Sequence, residues 1–147
     1  MAWENVSLKD VKPEGFTPIP QGTYTFALLP GATTRTNNFG TEELVVSAAI
    51  AEGDQAGRRI FLQYPDPQSV NTTTGKTAAW SAQALKKLEI ALGIEQAEGE
   101  SPVEFLNRAA GNGHARFSLT MGPARKVRNG ETEPRIEPQL FSVGPAA

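Results

Sequence analysis

The chain has 147 residues, 39% hydrophobic and 20% charged, with a net charge of −2; this suits one domain with a modest core and excludes a membrane span and chain-wide disorder. With no cysteine, a disulfide framework and a thiolate metal site are excluded, and a reducing compartment fits. The polar start Met1-Ala2-Trp3-Glu4-Asn5 shows no secretory signal, so the cytoplasm is the expected location.

Residues 1–20 carry Pro13, Gly15, Pro18 and Pro20 among isolated apolar residues, a composition that sustains neither helix nor ladder. They are expected to form an extended N-terminal arm to a domain spanning 21–147. From Thr23 to Leu29, Tyr24, Phe26 and Leu28 alternate with lighter residues, which predicts a half-buried first strand. Pro30-Gly31 stops it, and the Thr- and Asn-rich stretch from Ala32 to Thr41, holding Arg35 and Phe39, reads as a loop. A second strand is predicted from Glu43 to Ala51, with Leu44, Val46, Ala48 and Ile50 on one side. After a turn with Gly53 and Gly57, a third runs from Arg58 to Tyr64, placing Ile60, Leu62 and Tyr64 opposite Arg59, Phe61 and Gln63. Gln68 to Lys76 reads as a polar, mobile loop.

The period then changes. Trp80, Ala84, Leu88, Ala91 and Leu92 recur at helical spacing, with Thr77 or Ser81 available near the start and Gly93-Ile94 as a left-handed stop. Ser101-Pro102-Val103-Glu104 supplies a capping box for a short second helix with Phe105, Leu106 and Ala109 on its apolar side. A fourth strand alternates Ala115, Phe117, Leu119 and Met121 against His114, Arg116, Ser118 and Thr120. A hairpin loop with Arg125, Lys126, Arg128 and Asn129-Gly130 leads to a last strand over Arg135 to Val143, interrupted by Pro138 as at an edge or bulge.

Three strands, a helical insertion and a hairpin form the order of a mainly β, five-stranded Greek-key barrel of the OB type, with helices between strands three and four. A ferredoxin-like order needs a helix after the first strand, and an immunoglobulin-type sandwich needs about seven strands and no central helix. Oligonucleotides meet OB barrels on the outer face of strands two and three and on the loops joining strands one to two and four to five. In those places the chain holds Arg35 and Phe39, then Arg59, Phe61 and Gln63, then Arg125, Lys126 and Arg128, with Arg116 on the fourth strand. Acids gather instead around the helices, at Glu89, Glu95, Glu98, Glu100 and Glu104. Sequence-tolerant binding of a single strand needs cations along the phosphates and aromatic faces under the bases. Phe39 and Phe61 are the stacking candidates and the basic residues the phosphate contacts. Against this stand blander roles: Phe61 filling a small second core, Phe39 pinning its loop, and loop cations that are only solvated.

Pro20-Gln21-Gly22-Thr23-Tyr24, Gly57-Arg58-Arg59-Ile60-Phe61, and Trp80 with Leu85-Lys86-Lys87-Leu88 and Ala91-Leu92-Gly93-Ile94 resemble a family of small phage-encoded single-stranded-DNA-binding proteins with an OB fold. The resemblance runs from about Pro18 to Val143 and implies non-catalytic binding of single-stranded DNA in phage replication, recombination or repair. Partners would be the DNA itself and replication or recombination proteins, in the host cytoplasm. Bacterial single-strand-binding proteins commonly end in an acidic recruiting tail, whereas this sequence ends Val143-Gly144-Pro145-Ala146-Ala147.

Other chemistries find little support. Gly75-Lys76-Thr77 is a fragment of a phosphate loop, but Val70 stands where its glycine belongs. His114 is the sole histidine, too little for a hydrolytic triad. Glu42 with Glu43, and Glu131 with Glu133, lack calcium-loop spacing. No cofactor or metal is expected. Asn5-Val6-Ser7 and Asn71-Thr72-Thr73 match a glycosylation pattern by chance. An OB-type protein-interaction or structural phage module remains the alternative, and self-association through the Pro138 edge or the arm stays open.

Overall fold

The structure, a computed structural model, describes residues 19–38, 40–70, 74–111, 115–124, 130 and 132–146. Period-two alternation builds its three principal meander strands. In β1 (Gly22–Leu28), Phe26 and Leu28 turn inward and are buried. In β3 (Glu42–Ile50), Val46, Ala48 and Ile50 do the same, and in β4 (Arg59–Pro65) Ile60, Leu62 and Tyr64 are buried while Arg59, Phe61 and Gln63 are exposed.

One further strand arises where the sequence reads as a loop. β2 (Thr33–Thr36) pairs with β3, from Thr33 opposite Val45 to Thr36 opposite Glu42. Its three threonines are β-branched and favour extended backbone, but all four residues are exposed, so no apolar alternation announces the strand. The hairpin turn is closed at Asn37, whose N–H donates to Thr41 O at 2.9 Å and whose Oδ1 accepts the Thr41 N–H at 3.0 Å.

β1 and β2 lie end to end along one edge of β3, and β4 lies along the other. Between the first two, the four residues from Leu29 to Ala32 stand opposite only Val46 and Ser47, an extra length that bends the ribbon. Asn107 holds this bend. Its Oδ1 accepts the Gly31 and Ala32 N–H groups at 2.9 and 3.0 Å, and its Nδ2 donates to Ala32 O at 3.1 Å.

β5 (Arg116–Pro123) pairs with β1 along that strand's other edge. The single last strand expected from 135 to 143 is instead two pieces, β6 (Ile136–Pro138) and β7 (Gly144–Pro145), separated by a 3₁₀ turn at Leu140–Ser142. Side-chain chemistry replaces the missing ladder there: Ser142 Oγ accepts the Thr120 N–H at 2.8 Å and donates to Gln139 O at 2.5 Å. One unforeseen strand and one interrupted strand thus turn five expected strands into seven segments. The architecture is mainly β, an antiparallel sheet curled into a half-barrel with two helices.

Both helices, α1 (Trp80–Leu92) and α2 (Pro102–Gly111), follow β4 in the chain. α1 packs on β4, β5, β7 and the 3₁₀ turn, burying Ala84 and Leu88; α2 buries Phe105, Leu106 and Ala109. The capping box of α2 forms as expected, with the Glu104 N–H on Ser101 Oγ at 3.1 Å and the Ser101 N–H on Glu104 Oε1 at 3.3 Å. Gly93, at φ 70°, ends α1 in the left-handed region, its N–H reaching Glu89 O and Ile90 O. The start of α1 differs from expectation. Ala79 occupies the cap without a side-chain bond, while Ser81 is buried and donates to Pro65 O at 2.5 Å, tying the helix to β4. Trp80 leaves the core face, lying 41% exposed beside Phe141 at 6.2 Å between ring centres.

Phe26 and Phe117 stack at 5.8 Å in the centre, and Tyr64 joins the same core. Ile19 is buried there too, and the Tyr24 hydroxyl donates to Pro20 O at 2.7 Å, so the end of the expected arm belongs to the packed structure. In the polar stretch after β4, Asp66 Oδ1 accepts the Gln68 N–H at 2.9 Å, and Val70 bridges Thr77.

Candidate functional site

Side chains paired directly across antiparallel strands project from the same side of a sheet. The registers therefore define the sheet's outer face. Arg59 of β4 pairs with Ala49 of β3, Ala49 with Ala27 of β1, and Ala27 with Arg116 of β5. Three inter-strand steps separate the two arginines, roughly 14 Å along the sheet. Two alanines floor the space between them.

The next positions along β4 follow the same face. Phe61 pairs with Ser47, and Gln63 with Val45, which pairs in turn with Thr33 of β2. Phe61 is 60% exposed, which removes the reading that it fills a second small core. Arg59, Phe61 and Gln63 thus rise in a column at steps of roughly 7 Å, above small neighbours at Ser47 and Ala49. A ring exposed over small residues leaves room for a flat apolar surface to lie against it.

Five expected site residues, Arg35, Arg59, Phe61, Gln63 and Arg116, share this face. Arg35 is not equivalent to the others. It pairs with Glu43 across the hairpin, and its Nε donates to Glu43 Oε1 at 2.8 Å. Glu43 is almost fully covered, so Arg35's charge is met locally and its value as a phosphate contact falls. Arg59 and Arg116 have no ion pair among the described residues. Phe39, Arg125, Lys126 and Arg128 lie outside the described residues, as does His114.

The opposite, helical side has the contrary electrostatics. Arg108 grips Glu100 with Nε and Nη2 at 2.8 and 2.9 Å, and Lys86 pairs with Glu89. The Arg108 guanidinium, aided by the Ala97 N–H, holds the Glu100 carboxyl down to about 2. Arg108 and Lys86 are engaged with acids there, whereas on the sheet Arg59 and Arg116 have no ion pair among the described residues.

Sequence reasoning found the outward column on β4 but not the row that crosses the sheet. Ala27, Ser47 and Ala49 attract no notice as single residues; their part is to be small between an exposed ring and two cations. Period-two patterning could assign each to an outward face, but only the inter-strand register reveals that they adjoin. No protein-family model matches the chain, and neither a curated protein nor a solved structure matches it.

Proposed function

We propose that this chain binds single-stranded DNA, without chemistry on it, across the outer face of β3 and β4. The observation that carries the reading is the exposed Phe61 ring set between Arg59 and Gln63, with Arg116 in the same transverse row. Such a face offers a stacking platform and cations to track phosphates, which is what sequence-tolerant single-strand binding requires.

The proposed architecture behind it is an OB-type barrel. Taking β1 with β2, and β6 with β7, as two interrupted strands leaves a five-strand order in which the first strand lies between the second and the fourth. α1, packed on β4 at one side and β7 at the other, fills the opening between the outer strands. The resemblance to phage-encoded single-stranded-DNA-binding proteins supplies the setting: replication, recombination or repair in a host cytoplasm.

A second reading, a protein-interaction module using Phe61 as its anchor, is favoured by the net charge of −2 and by the neutralised Arg35. Salt separates the two. In a titration of labelled oligothymidine, log K falls linearly with log salt at a slope of about −0.7 per phosphate contacted. Arg59→Ala and Arg116→Ala should each flatten that slope by about 0.7. No binding at low salt would exclude the DNA reading.

A further inference from the structure

A second concave site lies on the far side of β4 from Phe61. A cleft of about 520 Å³ opens between the first half of α1, the start of α2 and the ends of β2, β3 and β4, within the roughly 300–1,000 Å³ usual for ligand clefts. Its walls are mainly apolar, with Leu44, Leu85, Val103 and Phe105 among them. Tyr64 also lines it. That residue is 2% exposed, and its hydroxyl has no hydrogen-bond partner among the described residues.

The charge at the cleft selects among occupants. Glu42, Asp66, Glu89 and Lys86 line it. Lys86 and Glu89 satisfy each other, whereas Glu42 and Asp66 are exposed and have no ion pair among the described residues. Two uncompensated carboxylates beside an apolar floor repel a phosphate backbone and attract a cation.

We propose that this cleft receives an apolar side chain from a partner protein's segment that carries a lysine or arginine next to it. The apolar side chain enters between Leu85 and Val103, and the basic neighbour meets Glu42 and Asp66. Recognition of this kind joins a pocket for one side chain to a charged rim. The site is independent of the sheet's outer face, so both can be filled together.

The test uses the full chain, isotope-labelled, and the capped peptide acetyl-Lys-Leu-Phe-Arg-amide. Saturable amide shifts at Leu44, Tyr64 and Val103 are expected, with no response to the acidic analogue acetyl-Glu-Leu-Phe-Glu-amide. Glu42→Gln together with Asp66→Asn should weaken binding about fivefold, the size expected of exposed ion pairs. Val103→Trp should abolish it by filling the cleft, with folding checked by an unchanged spectrum elsewhere. No saturable shift at millimolar peptide would overturn the proposal. So would equal binding of the two peptides, or displacement of the basic peptide by oligothymidine.

Discussion

The two sides of β4 are built from alternate residues of one strand and have opposite character. Outward, Arg59, Phe61 and Gln63 are exposed over small neighbours, and the cations of the row are unpaired among the described residues. Inward, Ile60, Leu62 and Tyr64 are buried, and beyond them the helices surround an apolar cleft edged with carboxylates. A seven-residue strand thus contributes to two surfaces of different polarity. The proposal of polyanion binding by a chain of net charge −2 rests on the row of Arg59, Ala49, Ala27 and Arg116, which holds no acid.

The comparison is broken most severely from the core that both surfaces share. Phe117 is fully buried and stacks on Phe26. Phe117→Ala should cost about 3–5 kcal/mol in denaturant unfolding, and oligothymidine and peptide binding should fail together. Loss of only one would show that the surfaces have separate supports.

Phe61→Ala sharpens the difference. An exposed ring contributes little to folding, so stability should shift by less than about 0.5 kcal/mol, while oligothymidine affinity falls by about 1–3 kcal/mol if a base stacks there. Tyr64→Phe is its inward counterpart. Removing a buried hydroxyl that has no partner among the described residues should raise stability by about 1 kcal/mol and leave DNA affinity unchanged. A stability loss there would mean that the hydroxyl is satisfied in solution.

The smallest effect concerns pH. Glu100 titrates near 2, below the ordinary glutamate value of 4.5, because of its bond to Arg108 and the Ala97 N–H. A lowered folded value means that the pair's contribution is complete above about 4.5 and is lost as pH falls through 2. Carbon-detected titration of the Glu100 carboxyl should find its midpoint near 2, with DNA affinity between pH 8 and 5 insensitive to Glu100→Gln.

What could be foreseen from the sequence followed from local rules. Period two announced the inward and outward residues of β4, and Ser101 with Glu104 announced the start of α2. β2 escaped because its threonines lie exposed on both faces, leaving no hydrophobic period to read. The Arg35–Glu43 pair, although only eight residues apart, depends on that unseen strand. The transverse row of Arg59, Ala49, Ala27 and Arg116 joins residues up to 89 positions distant through the β1–β5 register, which no local pattern encodes. Ser81 looked like a helix cap and proved to be a buried tie to Pro65, because tertiary contact outweighed the capping preference.

The most direct measurement of the division between the two surfaces is an amide shift map of the labelled chain during oligothymidine titration. Shifts should concentrate at Ala27, Ser47, Ala49, Phe61 and Arg116, with Leu85 and Val103 unmoved. Shifts gathered around the cleft, or none on the outer face at low salt, would contradict the account.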